Sequence, residues 1–427
     1  MRHPVGPSLE GQLREYCPKR HLDDFDAFVA EQTAAMEATF GGSGEFDREA
    51  VLQTHPNLAL PGHSDIGERL RDLDRDGVAA EVIFHFSQNG ELFPFMPDFT
   101  GGLSSVRAED FELAKVGFRI YNRWLADFVS EQSARHVGLA YVPTWDLAAA
   151  TAEVEWAREV GLRGVNFPPP GRPGHLSYNH PAWEPFWSAC ESLEMPLTTH
   201  ASGAHPIDYE AGPGGIEIMI YESGGWLGRR AVWWLIHGRI FENHPNLRLV
   251  ITEQYEGWFM NTLRELDAVY ARFGHTLSGE TLPKLPSEYG MANVFLGASF
   301  MSGEMAEDAW RQGYATNVVW GSDYPHVEGT FQHLDDPDAE PITRLSLRHV
   351  LSRVPSREAL LMAGQNGVRV YGLDGDELAR VAARIGAPTA EELATAPEAL
   401  PEISPRSNAF RGQAGPRAED LSALLLA

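Results

Sequence analysis

Cysteine and long apolar runs are scarce in this chain of 427 residues. Its two cysteines, Cys17 and Cys190, do not form a CxxC pair, so neither a disulfide framework nor a zinc ribbon is suggested. No apolar run approaches the roughly 18 residues that a membrane-spanning helix needs, and no apolar signal segment opens the chain. We therefore expect a cytoplasmic protein of the reducing compartment that does not associate with membranes.

Clustered positive charge is also missing. The chain has 34 Lys and Arg against 60 Asp and Glu, and its formal net charge is −26. Because phosphate contacts need grouped Lys and Arg, no nucleic-acid partner is expected. No GxGxxG follows an early strand, which disfavours an NAD-linked dehydrogenase on a doubly wound sheet. Apolar residues make up 43%, ample for a large core.

Predicted strands and helices alternate along the chain, which implies parallel pairing and right-handed crossovers. The predicted strands are residues 78–86, 136–143, 162–169, 196–202, 247–253, 293–299 and 318–323. These seven could form an open sheet, whereas a (β/α)8 TIM barrel needs eight. An eighth would have to lie at the extreme N-terminus, where Pro4 interrupts the segment MRHPVG. We predict an α/β barrel whose first strand is truncated or degenerate.

The barrel domain is predicted to cover residues 1–372. Residues 373–427 are rich in Pro, Ala and Glu with little periodicity, and are interpreted as a C-terminal extension, either loose or packed on a partner. Two long loops rich in Gly and Pro, residues 87–106 and 201–223, follow strand ends. Because barrel active sites form at that face, these loops are expected to shape specificity.

Polar residues stand at the predicted C-terminal ends of four strands: His85, His200, Glu253 and Asp323. In a barrel these ends converge on one face. Imidazole and carboxylate groups together suit Zn²⁺, Mn²⁺ or Fe²⁺. Such an ion would compensate a carboxylate at the end of the buried run VVW, and would activate a bound water or polarise a substrate oxygen.

Three of these residues also have simpler interpretations. Asp323 could cap the helix that follows it. His200 could be a hydrogen-bonded core histidine. Glu253 could pair with an arginine such as Arg229 or Arg264.

Two further histidines and a Trp-rich stretch have alternatives of their own. His85 lies one residue from its strand end, so its side chain could point to either face of the sheet. His326 could orient a ligand rather than react. The stretch WLGRRAVWWLIH, residues 226–237, has helical spacing and indicates a packing face against the barrel or another subunit.

Five segments, in order and at compatible spacings, resemble the amidohydrolase-related branch of the amidohydrolase superfamily. The segments are GVAAEVIFHFSQNG, GLRGVNFPPP, PLTTHASG, HPNLRLVITEQYEGW and VVWGSDYPHVEGT. The resemblance covers residues 5–372, and GSDYPH is its most specific part. The branch includes aminocarboxymuconate-semialdehyde, γ-resorcylate and 5-carboxyvanillate decarboxylases, together with lactonases and hydratases.

The resemblance implies a (β/α)8 barrel that holds one divalent metal ion, zinc above all, with manganese or iron as alternatives. It assigns His200 and Asp323 as ligands, and a first-strand HxH, ExH or DxH motif supplies the others. This chain begins MRHPVGP, so His3 is the remaining first-strand candidate. Glu253 stands where members often have a proton-transferring histidine. The family resemblance also implies a homodimer.

The predicted function is non-oxidative decarboxylation of a small aromatic or unsaturated carboxylic acid. Protonated Glu253 or Asp323 would deliver a proton to carbon as CO₂ leaves, and His85 and His326 would contact the substrate. One alternative is a lactone or amide hydrolase with Asp323 as base. Another is a non-catalytic barrel that lacks its first-strand motif. Released CO₂ would support the first, and a cleaved acid the second.

Overall fold

The computed structural model describes most of the chain, with several gaps. The described residues are 9–40, 55–85, 91, 93–96, 111–168, 170, 175–200, 218, 221–254, 257–277, 281–299, 301–327, 329–334, 336, 338–401 and 410. His3 and most of the two long loops, 87–106 and 201–223, lie outside this description.

Strands and helices alternate as the sequence predicts. The strands are β1 (Glu81–Ile83), β2 (His136–Tyr141), β3 (Gly164–Asn166), β4 (Leu197–Thr199), β5 (Leu249–Thr252), β6 (Val294–Ala298) and β7 (Val318–Trp320). The α-helices are α1 (Leu9–Glu15), α2 (Leu22–Phe40), α3 (Ile66–Asp76), α4 (Phe111–Ser130), α5 (Leu147–Glu159), α6 (Glu184–Ser192), α7 (Gly228–His237), α8 (Ile240–Asn243), α9 (Phe259–Leu277), α10 (Pro286–Asn293), α11 (Gly303–Arg311), α12 (Ile342–Leu351), α13 (Ser356–Leu360), α14 (Asn366–Tyr371), α15 (Gly375–Ile385) and α16 (Ala390–Leu393). None of the described helices is long and apolar enough to cross a membrane.

The strands form one parallel sheet whose spatial order equals the chain order, β1 to β7. Each strand pairs in parallel with the next, as in the registers Val82↔Val137 and Leu249↔Val294. The sheet is curled, as shown by its two edge strands, β1 and β7, which both line one interior cavity. All seven predicted strands and the barrel-like α/β fold are confirmed. An eighth strand is not found among the described residues.

The strands β2 to β5 are buried on both faces because helices cover the outside and side chains fill the inside. Every residue of β2 is buried. A small inner cluster contains Val137, Val250 and Phe295, and Tyr371 of α14 packs with them. The Tyr371 hydroxyl lies 3.1 Å from Thr198 Oγ1 of β4. This contact links a late helix to the inside of the sheet.

The Trp-rich stretch is helical, as its spacing predicts, but the type of helix changes within it. A π-helical segment, Glu222–Leu227, precedes α7, and the helix ends at Gly238 before α8 begins. Arg239 has a left-handed φ of 63°, which a continuing α-helix does not allow. Ala231, Val232, Leu235 and Ile236 form the buried face of α7. The expected packing face is therefore present on the barrel side.

The segment after residue 372 is more regular than its composition indicates. The helix α15 begins with Asp374 accepting a hydrogen bond from the Glu377 amide. Thr389 and Glu392 form a capping box at α16. Arg344 of α12 contacts Glu392 at 3.0 Å, so this part of the extension packs on the barrel. The boundary at residue 372 stays a prediction.

Candidate metal centre

Asp323 lies three residues after β7, near the start of the loop that follows this strand. Its backbone has a left-handed φ of 59°, and its side chain is 7% exposed. The loop folds back on itself, because the amide of Thr330 donates to the carbonyl of Ser322 at 2.8 Å. Gly329 permits this approach, since a Cβ there would lie 2.6 Å from the Ser322 oxygen. The carboxylate is thus held, buried, at the C-terminal end of the strand.

Glu253 occupies the same place after β5. It too has a left-handed φ, of 54°, and its amide donates to Gly297 of β6 at 3.1 Å. The Glu253 Oε1 atom lies 3.0 Å from Nε2 of His200, which follows β4. Both side chains are largely buried, at 13% and 23% exposure. The sheet order therefore brings these two predicted residues into contact.

His326 completes the group. Its Nδ1 lies 3.5 Å from Oδ2 of Asp323. Glu253, Asp323 and His326 each offer one ligand atom, and these atoms lie within 4.8 Å of one another. We call these three residues together with His200 the strand-end cluster. Two imidazoles and two carboxylates form a donor set that fits a divalent transition metal.

His200 and Glu253 each shift the pKa of the other. Burial opposes the charged imidazolium, but the Glu253 carboxylate outweighs it and raises the pKa of His200. Burial likewise disfavours the carboxylate, yet His200 lowers the pKa of Glu253. Each group thus favours the charged form of the other, the imidazolium of His200 and the carboxylate of Glu253. A metal ion that bound His200 would displace this proton.

A cavity of about 650 Å³ adjoins the cluster. All four residues of the strand-end cluster line it, with Phe84 and Trp320 close by in its wall. The His200 and Phe84 rings lie 5.3 Å apart. A mostly apolar cavity with a few convergent polar groups is typical of a small-molecule site.

The structure does not bring His85 to this cluster. His85 is buried in an aromatic group, with its ring 4.9 Å from Phe93 and 5.3 Å from Tyr121. It is not among the described residues that line the cavity. The reason is strand parity: Phe84 faces the cavity, so its successor points to the opposite side. Its predicted substrate contact is not supported by this geometry.

The simpler interpretation of Glu253 as an arginine partner does not describe the structure. Arg229 Nε donates to Gln254 at 2.7 Å, and Arg264 donates to Gln312 at 2.7 Å. The carboxylate of Glu253 contacts His200 instead.

A second group of residues beside the strand-end cluster is not apparent from the sequence alone. The hydroxyl of Tyr324 donates to Asp72 at 2.7 Å, and the Arg69 guanidinium lies 4.6 Å from the Tyr324 ring. Arg69, Tyr324 and Asp323 all line the cavity. These contacts join α3 to a loop about 250 positions later in the chain, which a local pattern does not show.

Known proteins with similar sequence or structure include several decarboxylases. The γ-resorcylate decarboxylase of Rhizobium sp. (strain MTP-10005) is 24% identical over 205 residues, which are 44% of this chain and 55% of that protein. This chain thus spans about half the length of that curated relative.

Solved structures show the fold. The 5-carboxyvanillate decarboxylase LigW from Sphingomonas paucimobilis has a TM-score of 0.53 and 22% identity, covering 72% of this chain and 83% of its own. LigW2 from Novosphingobium aromaticivorans, solved with bound manganese and a nitrobenzoic acid, has a TM-score of 0.57 and 17% identity, covering 83% and 94%. The amidohydrolase family model matches residues 105–373, more than half of the sequence. The chain belongs to the amidohydrolase family.

Proposed function

We propose that this protein is a metal-dependent decarboxylase of a small aromatic or unsaturated carboxylic acid. The observation that carries the proposal is the convergence of Glu253, Asp323, His326 and His200 on one cavity at the C-terminal ends of the strands. The decarboxylases with similar sequence or fold support the choice of reaction.

His200 and Asp323 are the proposed ligands, with His3 as a third from the chain start. Zinc is the ion that the resemblance favours, while the LigW2 structure holds manganese, so both are candidates here. A bound ion supplies Lewis acidity toward the carboxylate oxygens of the substrate. The donor set of one carboxylate and imidazoles fits either ion.

Glu253 and Asp323 are the proposed catalytic residues. Both are buried at the cavity wall, where water is restricted. Because a protonated His200 lowers the pKa of Glu253, Glu253 would hold a proton for the ring carbon when His200 is neutral, as it would be as a metal ligand. His326 contacts Asp323 and also lines the cavity, so it can position Asp323 and reach a substrate. The substrate contact of His85 stays a prediction.

Hydrolysis is the second candidate, and one residue favours it. Glu253 stands where the resemblance predicts a proton-transferring histidine, which adds a second carboxylate beside Asp323. With Asp323 as base to take its proton, a water molecule in such a site would attack an ester or amide carbonyl and cleave the C–O or C–N bond. Product analysis separates the two: CO₂ release supports decarboxylation, and a cleaved acid without CO₂ supports hydrolysis.

Metal content, measured by elemental mass spectrometry, tests the centre. We expect about one divalent ion per wild-type chain, lost in both Asp323→Ala and His200→Ala. His244→Ala is a matched control, because His244 also lies between two carboxylates, Glu184 and Glu191, at 3.1 Å each. Loss of metal in the control as well, or a metal-free wild type after reconstitution, would refute the proposed centre and favour a non-catalytic barrel.

We also propose a homodimer. Tyr221 and Trp226 are 76% and 60% exposed, which is unusual for such large apolar side chains. Sedimentation of the wild type and of Trp226→Ser tests this, since a dimer that uses this surface should weaken in the variant.

A further inference from the structure

The backbone at Asp323 has a conformation that an ordinary side chain does not favour. Its left-handed φ of 59° is strained for a residue with a Cβ. Its carbonyl accepts a hydrogen bond of 2.8 Å from the amide of His326. A strained backbone of this kind persists only where the surrounding structure holds it in place. The contacts of the neighbouring residues therefore show what fixes Asp323.

One anchor lies at the far end of the loop. The Thr330 hydroxyl donates to the carbonyl of Ser322 at 3.2 Å, and the Thr330 amide donates to the same oxygen at 2.8 Å. The hydroxyl also lies 3.0 Å from the Thr343 hydroxyl of α12, and both threonines are buried. This anchor closes the loop and ties its end to α12, and Asp323 follows directly after the carbonyl that it holds.

The second anchor is Tyr324, the residue directly after Asp323. Its hydroxyl donates to Oδ2 of Asp72 at 2.7 Å, and the Arg69 guanidinium lies 4.6 Å from the centre of its ring. Arg69 and Asp72 are three positions apart on α3 and so share one face of this helix. The ring of Phe331 packs edge-on against Tyr324, with the ring centres 4.7 Å apart. Tyr324 is thus held both at its hydroxyl and along its ring.

The short 3₁₀ turn before α3, Pro61–His63, leaves room for this hydroxyl. A Cβ on Gly62 would overlap the Tyr324 hydroxyl and would lie 3.0 Å from Oδ2 of Asp72. Arg69 donates from Nη1 to the Gly62 carbonyl at 3.3 Å, so the arginine that contacts the ring also holds the turn. We call Gly62, Arg69 and Asp72 together the tyrosine seat.

The tyrosine seat is fixed to the sheet through Arg69. Its Nε and Nη2 atoms donate to Glu81 of β1 at 2.7 and 2.8 Å, and both side chains are buried. A buried bidentate pair of this kind is rigid, because neither partner is free to turn. The seat therefore connects the first strand of the sheet to the loop that follows the last one.

We propose that Tyr324 is a positioning residue that holds the carboxylate of Asp323 at the strand-end cluster through the tyrosine seat. Its importance for a bound metal ion rests on the proposed function, whereas its hold on the loop does not. Because Asp323 and Tyr324 are neighbours in the chain, a shift of the Tyr324 backbone moves the Asp323 carboxylate as well. Groups that orient a metal ligand typically change metal affinity by about 10–100-fold when they are removed.

Amide hydrogen exchange on metal-free protein tests the hold on the loop. Tyr324→Phe removes only the hydroxyl, and the amides of His326 and Thr330 should then exchange about tenfold faster. Asp72→Ala should have the same effect, whereas Asp72→Asn keeps an acceptor oxygen and should retain most of the protection. The amide of Val165 in β3 should be unchanged in all three variants and so report an intact fold.

Tyr314→Phe is a matched control. Tyr314 also donates a hydrogen bond of 2.7 Å to an aspartate, Asp308, but it precedes β7 and so lies at the end of the strand away from Asp323. Its loss should leave the exchange rates of His326 and Thr330 at their wild-type values. Equal acceleration in Tyr314→Phe and Tyr324→Phe would overturn the proposal, because the effect would then be a general loss of stability.

Manganese affinity gives the second readout. The dissociation constant of Mn²⁺, from the paramagnetic resonance signal of the free ion, should rise about tenfold or more in Tyr324→Phe and stay unchanged in Tyr314→Phe. Wild-type exchange rates in Tyr324→Phe, or faster exchange with an unchanged dissociation constant, would overturn the proposal. A wild type that binds no manganese would refute the proposed centre instead, and the exchange rates would then decide the role of Tyr324 alone.

Discussion

Two buried groups of charged residues differ in the kind of cation they use. In the first, which we call the arginine cluster, Glu81 is held by Arg69 through bonds of 2.7 and 2.8 Å and by His136 at 2.9 Å. In the strand-end cluster, Glu253 contacts His200 and Asp323 contacts His326. Every basic partner in these strand-end contacts is an imidazole.

The arginine of the first group forms a permanent ion pair, whereas an imidazole of the strand-end cluster can exchange its proton for a metal ion. Burial alone would raise the pKa of Glu81, but Arg69 and His136 together outweigh it and lower that pKa to about 2. A guanidinium cannot lose its proton in a protein, so this pair is fixed. An imidazole can lose its proton and then bind a metal ion. The predictions below test this contrast, from the largest expected effect to the smallest.

Asp323→Asn should affect chemistry more than folding. The proposed metal contribution is several kcal/mol, so kcat/KM on the substrate found by screening should fall by about a thousandfold or more. After a chelator has removed the metal from both proteins, the free energy of unfolding of the variant, measured by urea titration, should stay within about 1 kcal/mol of that of wild type. Activity within tenfold of wild type would remove Asp323 from the reaction.

Arg69→Met should destabilise the fold by about 3–5 kcal/mol, because it leaves Glu81 buried without its guanidinium. The matched control is Arg14→Met. Arg14 also makes two 2.7 Å bonds to one carboxylate, Asp26, but that pair is about half exposed. Its loss should cost far less, because solvent screens an exposed ion pair. Equal losses in both variants would show that burial does not distinguish the two pairs.

Added metal should stabilise the protein only through the strand-end cluster. At a free concentration of 100 Kd, one bound ion raises the free energy of unfolding by about 2.7 kcal/mol. Thermal unfolding with and without manganese or zinc should show this shift in wild type, and none in His200→Ala. A shift that persists in His200→Ala would place the ion elsewhere.

Asp76 adds a third case, a buried carboxyl group whose main contact is the Thr343 hydroxyl. Burial raises its pKa from the ordinary 3.8 to about 7. Its folded form therefore binds a proton more tightly than its unfolded form, and its stabilising contribution declines as pH rises from about 4 through 7.

Asp76→Asn removes this dependence. Three pKa units set an upper limit of about 4 kcal/mol, and local relaxation should leave about 1–2 kcal/mol in favour of the variant at pH 8 relative to pH 5. Unfolding free energies at the two pH values measure it. Parallel changes in wild type and variant would mean that Asp76 is ionised in the folded protein.

The sequence predicted the strands well and the early helices poorly. The seven strands are short apolar runs bounded by Gly, Pro or polar residues, and both features are local. The helices α1, α2 and α3 were not predicted. In α3, the sequence IGERLRDLDRD has few apolar residues, and Arg69 is buried because Glu81 pairs with it. Because of this long-range pair, the usual expectation that an arginine side chain is exposed does not hold for Arg69.

The candidate site was predicted from one rule, that parallel strands end at a common face. This rule correctly joined His200, Glu253 and Asp323, and His326 follows in the same loop. It failed for His85, where a one-residue shift turns the side chain to the other face. The Arg69–Tyr324 contact was missed, because it depends on how α3 packs rather than on a motif.

Glu253 and Asp323 both have backbones in the left-handed region, where glycine is at ease and other residues are strained by about 1 kcal/mol or more. A screen for thermostability alone would therefore favour Glu253→Gly and Asp323→Gly. Each would relieve strain and remove a buried carboxylate. Directed evolution of this scaffold should include activity as a second criterion, because otherwise the most stable survivors will be the ones that have lost the proposed centre.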